Sequence, residues 1–418
     1  MEITIKKNKE DKVLEFANNA ISFFEPNSIT LKGINFHKFD QYIYALSNLI
    51  EIQDFKNFEE KRLLIIKAIN KSNGSLLNSE DFENILINIR KEVLNKKKEI
   101  FYFVFPLKIK YKSIKKRHFT LLNTKIKVCS YNYLIKNFDL DVLIEDARLF
   151  KDEKIEASLK SSLSYFIIEE KAINVHKGKN STFNKIELLR SIINFTYQYR
   201  ILHFSNYEPK PLSLIYPPKA FFAFDSNRKY LENWKTFYTC DSQEIDFANG
   251  NLRNKEVIKR ADKLIKKINS INKGNFRNLI IATFYLHNYG LDHHYKPFLS
   301  FLNFWQIFES ISHTSKQEYV SKRMLSLLKE KNPYADIIDV FRQKRNEFIH
   351  EGKINDIAAN DINMIIGIAQ EAMMFLIYNE KQIKSINGLI LFYDNINNSD
   401  KDFKNKMDIL RYIKKIKA

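Results

Sequence analysis

The spacing of apolar residues changes twice along this chain, and each change dictates a different local structure. Up to about residue 100 the apolar positions recur at helical intervals. Ile43, Leu46, Leu49 and Ile50 fall on one helix face, as do Phe82, Ile85, Leu86 and Ile89. Strand texture follows. Phe101 to Phe105 is a continuous apolar run, while Lys108–Lys112 and Lys125–Val128 alternate lysine with apolar or aromatic residues. Tyr165–Ile168 and Leu212–Tyr216 are further strand candidates, separated by helical segments at Tyr131–Phe150 and Ser181–Arg200. From Lys255 up to the tail the period is helical. The pattern predicts an α+β N-terminal region followed by an all-α, helical-bundle C-terminal domain.

Asp225–Asn254 is polar and irregular, which places a boundary there. The expected organisation is an α+β sensor or regulatory domain over 1–250, a helical domain over 255–385, and a tail over 386–418. In the tail, Leu389–Tyr393 reads as a short strand and Lys401–Lys417 as a basic helix. Helix ends can be read locally. Asn332-Pro333 is an N-cap with proline in the first turn, and Ser315-x-x-Glu318 fits a capping box. Asn355 or Asp356 can cap a helix running past Met373, giving five or six helices between Lys255 and Asn379.

Composition narrows the class. The 418 residues are 44% hydrophobic and 14% aromatic, enough for a sizeable core and against disorder. A formal net charge of +19 and a pI of about 9.5 favour a polyanionic partner, nucleic acid before membrane. Lysine as a generic solubiliser is the competing explanation. Two cysteines, Cys129 and Cys240, build neither a disulfide framework nor a zinc site and suit a reducing cytoplasm. Met1–Lys7 turns charged before any apolar run, unlike a signal peptide. Phe298–Phe308 is too short to span a bilayer.

Chemistry concentrates in Arg345-Asn346-Glu347-Phe348-Ile349-His350, near the end of a predicted helix and just before Gly352. A guanidinium neutralises phosphate with a planar fork of donors, and an imidazole moves protons near neutral pH. The pair could cleave RNA without a metal, because the 2′-hydroxyl supplies the nucleophile. On an ideal helix, residues five apart are separated by about 140°. Asn346, not Arg345, therefore shares a face with His350. The structural alternative is an Arg345 pair with Glu309 or Glu347, with His350 capping its own helix.

The motif resembles the R-x4-H signature of the HEPN superfamily of ribonucleases. Phe298–Glu309, a long apolar helix carrying an acidic residue, resembles the helix preceding the motif in abortive-infection HEPN proteins. The likeness covers roughly 275–379. It implies a metal-independent endoribonuclease in antiviral defence or abortive infection, with no cofactor. It further implies a homodimer through the C-terminal domain, whose two motifs meet at the interface. Arg345 and His350 would be catalytic. Glu309 would orient one of them, and Asn346 would hold the histidine tautomer or contact RNA. A phage-derived or small-molecule trigger would act on the N-terminal domain. Two alternatives stay open: a non-catalytic HEPN module that binds RNA or protein, and a metal-dependent nuclease of the PD-(D/E)xK type.

Three weaker constellations complete the reading. Glu169-Glu170-Lys171 with Asp146 resembles the carboxylate-and-lysine set of that second alternative, though a strand ending in charged residues is the commoner explanation. Asp292-His293-His294 looks like a metal cluster, but adjacent histidines rarely share one ion. Lys108, Lys110 and Lys112 lie on one strand face, and Lys125 and Lys127 on another. If these strands pair across a turn near Lys116-Arg117-His118, they form a basic ribbon for RNA phosphates. The alternative is a solvated outer sheet face.

Overall fold

The computed structural model describes residues 3–6, 9–22, 36–55, 58–72, 78–95, 97–107, 109, 118–140, 164–201, 215, 217–218, 220–235, 252–293, 296–328, 332–352, 357–396 and 399–417. The chain forms two compact units. One is Met1–Ile100 with Lys171–Gly178, and the other is Phe101–Glu170 with Lys179–Ala418.

The first unit is mainly helical, as the period predicts. A two-stranded antiparallel ribbon, β1 (Ile3–Ile5) with β2 (Ile50–Ile52), accompanies four helices, α1 (Glu10–Ile21), α2 (Phe36–Leu49), α3 (Phe58–Lys71) and α4 (Ser79–Asn95). Helix α1 buries Val13, Ala17, Ala20 and Ile21, a single face at helical spacing. Ile43, Leu46, Phe82, Leu86 and Ile89 join the same core. Arg90 of α4 braces the turn after β2: Nη2 donates to Asp54 Oδ2 at 2.7 Å and Nε to the Gln53 carbonyl at 3.2 Å.

The second unit holds a six-stranded sheet. Its strands are β3 (Glu99–Leu107), β4 (His118–Leu121), β5 (Thr124–Cys129), β6 (Ser164–Ala172), β7 (Ala220–Phe224) and β8 (Tyr230–Lys235), in the order β4-β5-β6-β3-β7-β8. The apolar run at Phe101–Phe105 is explained by its place. Strand β3 sits inside the sheet, with Phe103, Val104 and Phe105 fully buried. A short helix, α5 (Tyr131–Asn137), lies on one face, where Leu134 packs with Cys129, Tyr165 and Phe222. On the other face is α6 (Val175–Ile201), whose Phe183 ring meets Phe221 at 5.5 Å.

Helices α7 (Leu252–Ser270), α8 (Asn275–Asp292), α9 (Pro297–Ser312), α10 (Gln317–Leu325), α11 (Asn332–Glu351) and α12 (Ala359–Tyr378) follow. Next come α13 (Glu380–Ile383), α14 (Ile386–Asn395) and α15 (Asp400–Lys417). Helices α8 and α9 approach so closely that a Cβ on Gly290 would lie 2.5 Å from the Phe304 ring. Helix α12 is long and apolar enough to cross a membrane, yet 61% of its apolar window is buried within the protein.

Four local expectations are corrected. Leu389–Tyr393 is part of helix α14, not a strand. Ser385 Oγ accepts the Gly388 N–H at 3.0 Å, and Leu389 and Tyr393, four apart, are buried while Leu391 is exposed. A five-residue apolar run carries too little periodicity to separate the two states. Ser315 does not cap α10, whose N-cap is Lys316 without a side-chain bond. The helix after α11 starts beyond Asn355 and Asp356, which lie outside the described residues. There Asp361 Oδ2 accepts the Ala358 N–H at 2.8 Å. Finally, Asp225–Asn254 is not irregular at its start: β8 pairs antiparallel with β7 across a turn beginning at Asp225.

A buried ionic network ties the sheet helix to the bundle. Arg190 of α6 is fully buried; Nη2 donates to Glu187 Oε2 at 2.6 Å and to Asp292 Oδ2 of α8 at 2.8 Å. Nη1 donates to the Ile215 carbonyl at 2.9 Å, ahead of β7. The amides of Asn194 and Asn288 meet at 2.7 Å beside it. Removing the cation leaves two carboxylates in the core. Arg190→Met is expected to cost about 3–5 kcal/mol in urea unfolding of the full chain. A loss under about 1 kcal/mol would show the network to be dispensable.

His287 on α8 is fully buried between the Phe195 and Phe304 rings, its Nε2 at 2.9 Å from Gln370 Nε2. Burial pushes its pKa down from 6.5 to about 3. The folded state resists a proton that the unfolded chain accepts, so this stability is whole above pH 6.5. It drains as pH falls toward 3, by about 1.4 kcal/mol per pH unit. His287→Gln should lose this one-proton slope between pH 6.5 and 5, measured by denaturant titration at a series of pH values. An unchanged slope would show that His287 does not control acid sensitivity.

Candidate active site

Helix α11 carries the arginine–histidine motif, and its ends follow from sequence. Pro333 sits in the first turn, where a missing N–H is harmless. Gly352 closes the other end at φ +67°, its N–H reaching the Phe348 carbonyl at 3.0 Å. His350 therefore lies in the last turn, exposed, beside the negative end of the helix dipole. The Phe348 ring meets Phe298 of α9 at 5.3 Å, and Lys344 Nζ meets Asp361 Oδ2 at 2.6 Å, anchoring α11 to both neighbours.

Arg345 Nη2 lies 3.3 Å from Glu309 Oε1 of α9. The same oxygen accepts from Trp305 Nε1 at 3.1 Å and Gln317 Nε2 at 2.9 Å. Arg345 Nη1 donates to Asn346 Oδ1 at 3.3 Å. Of the two partners the sequence offers Arg345, Glu309 and Glu347, the structure shows Glu309, while the Asn346 oxygen serves the arginine. The Arg345 side chain keeps 21% of its surface exposed. One-point contacts of 3.3 Å leave most of its N–H donors open to an incoming anion. Ile349 is 49% exposed next to His350. The arrangement offers a held cation and a solvent-facing proton carrier on one helix, about 140° apart around its axis.

The aromatic helix α9 spends much of its apolar surface internally. Phe301, Phe304, Trp305, Ile307 and Phe308 are all buried, with Phe301 against Phe341 of α11.

Among the described residues the other constellations are not assembled. Glu170 is engaged by Lys185 at 2.6 Å and Ser181 at 2.9 Å, and Asp146 lies outside the described residues. Glu169 is exposed on β6. Asp292 is committed to Arg190, and His293 Nδ1 sits 2.7 Å from the Tyr289 carbonyl; His294 is not described. Among the described residues no group of three or more His, Cys, Asp or Glu could hold a metal ion. Burial pushes the Cys129 thiol up to about 12, far from a reactive thiolate.

The basic ribbon takes a different form. Lys125 and Lys127 do share a face of β5, but the strand pairs with β4 through a turn at Leu122-Asn123, not near 116–118. Both turn residues have positive φ, 48° and 67°, as a primed two-residue turn requires. Leucine in that position gives no turn signal. Lys108, Lys110 and Lys112 lie outside the described residues.

Lys125 and Lys127 line a cleft of about 440 Å³ together with Glu169, which the sequence offers only as a metal ligand, and with Tyr102, Tyr133 and Arg228, which sequence reasoning missed. Arg228 stands in the β7–β8 turn at φ +64°, a conformation that costs a non-glycine residue about 1–3 kcal/mol. The available signal was Asp225-Ser226-Asn227, turn chemistry between two aromatic strands.

Compared with family models, curated proteins and solved structures, the chain matches none of them.

Proposed function

We propose that the helical part of this protein is a metal-independent endoribonuclease of the HEPN type. The observation that carries the reading is Arg345, held by Glu309 of the neighbouring helix, on the same helix whose last turn exposes His350. The 2′-hydroxyl attacks the adjacent phosphorus, His350 transfers the proton, and the Arg345 fork stabilises the charged phosphorane. The 5′-oxygen leaves with a proton, giving a 2′,3′-cyclic phosphate and a 5′-hydroxyl. Asn346 and Glu309 are positioning residues. The net charge of +19 supports RNA as the substrate, with Lys125 and Lys127 adding phosphate contacts. The setting that fits is a cytoplasmic antiviral or abortive-infection role, with the N-terminal part as regulator. One specific observation favours the rival binding module: Arg345 is turned to Glu309 and Asn346, and on one helix it starts about 140° from His350.

Incubating the full-length protein with single-stranded RNA in EDTA should yield cyclic-phosphate and 5′-hydroxyl ends. Arg345→Ala and His350→Ala should each lower the rate about 10²–10⁴-fold with an unchanged thermal midpoint, while Lys171→Ala and His293→Ala keep the wild-type rate. Loss in EDTA or 5′-phosphate ends would transfer the activity to a metal-dependent site, and wild-type turnover in His350→Ala would sink the mechanism.

A second chain would reunite the two groups. The exposed Ile349 beside His350 gives such an interface an apolar contact. Sedimentation at micromolar concentration should report about twice the 49.7 kDa chain mass. Excess His350→Ala chains should depress activity per wild-type chain. A fully active monomer would remove the composite site and leave the ribonuclease assignment standing.

A further inference from the structure

Helix α5 packs on one face of the six-stranded sheet, and among the described residues a cleft lies beside it. Lys127 lies across from Ile167 of β6, and the strand positions around them expose Lys125 and Glu169. Arg228 joins from the β7–β8 turn, and the space between is the cleft of about 440 Å³. That volume falls in the range of small-molecule sites. Three cations and one carboxylate leave an excess of about two positive charges in a concave site, which selects an anion.

Two of the three cations, Lys127 and Arg228, are held by neighbouring side chains. Lys127 Nζ sits 3.7 Å above the Tyr133 ring. The Arg228 guanidinium lies 5.6 Å from the Tyr102 centroid and 5.5 Å from Phe138. Its Nη1 donates to Asn137 Oδ1 at 3.2 Å, and its carbonyl accepts the Asp139 N–H at 3.0 Å. Asp225 Oδ1 braces the turn by accepting the N–H groups of Asn227 and Lys229, each at 2.8 Å. The chain thus keeps an arginine at positive φ, where glycine would be unstrained, and directs its side chain to the cleft. Half-exposed Tyr102 and Tyr133 supply flat π surfaces beside the cations.

From this juxtaposition we propose that the cleft binds a phosphorylated nucleoside. Lys125, Lys127 and Arg228 hold the phosphate, a tyrosine ring stacks on the base, and Glu169 accepts from ribose hydroxyls or an exocyclic amine. The same chemistry is presented by a free nucleotide and by the terminal nucleotide of an RNA strand. The proposal does not rest on the ribonuclease reading: the two share Lys125 and Lys127 as phosphate contacts, but none of the cleft residues belongs to α9 or α11.

The test is calorimetric titration of the full-length protein at low salt. The probes are the four ribonucleoside 5′-mono- and triphosphates, inorganic phosphate, adenosine, and a 5′-phosphorylated RNA pentamer. Saturable binding of at least one free nucleotide at one per chain is expected, tighter than phosphate or adenosine by at least tenfold. Tight binding of the pentamer alone would assign the site to an RNA end. Arg228→Gly relieves the backbone while deleting the guanidinium, so the fold should be kept or stabilised and affinity lost at least tenfold. Lys125→Ser/Lys127→Ser should do the same. His350→Ala should bind normally, which separates this site from catalysis. No saturable binding of any nucleotide or of the pentamer, equal affinity for inorganic phosphate, or undiminished binding in Arg228→Gly would each overturn the proposal.

Discussion

Arg190 is the group on which the larger unit depends. It is one cation, fully buried, shared by two carboxylates and one backbone carbonyl. Through Glu187 it stiffens the helix that packs on the sheet. The Ile215 carbonyl ties it to the chain entering β7. Asp292 brings in the last turn of α8. A cation desolvated this completely tolerates little displacement, because each lost bond leaves a charge unmatched in the interior. Helix α8 is therefore fixed at its C-terminal end. Two residues earlier, Gly290 admits the Phe304 ring where no side chain would fit. Helix α9 is set against α8 by that contact, and Glu309 lies one further turn along it. The position of Arg345 thus rests on a polar core some distance away in sequence.

The element types were largely readable, because period is a property of many residues at once. The helices of the first unit, the aromatic strand at Phe101–Phe105 and the bundle after Lys255 all announce themselves in that way. The errors fall where few residues decide. Leu122-Asn123 adopts a turn that glycine normally marks, and Leu389–Tyr393 is too short to display its period. The Asp225 turn hides between strands in a stretch that is polar on average. None of the ionic core was foreseen. Glu187, Arg190 and Asp292 are charged residues on helices, and such residues are usually solvated; only the fold makes them neighbours.

The candidate site divides the same way. The Arg345–Glu309 pair follows from two helices that the sequence locates, and Gly352 fixes where His350 falls. The Asn346 side chain turned to the arginine, a choice of rotamer that spacing cannot reveal. The cleft on the sheet was half visible through Lys125 and Lys127. Tyr102 and Arg228 come from β3 and the β7–β8 turn, far apart in the chain, so no local pattern connects them.

Glu309 has a consequence beyond orienting the arginine. A single carboxylate oxygen receives the Trp305 indole, the Gln317 amide and Arg345. The chain has only two tryptophans, and this one is 1% exposed. An anion that draws the guanidinium away changes the field at the indole N–H without touching the ring. The protein carries its own optical probe: a shift in the emission of Trp305, with Trp234 replaced by phenylalanine, reads the occupancy of Arg345 directly.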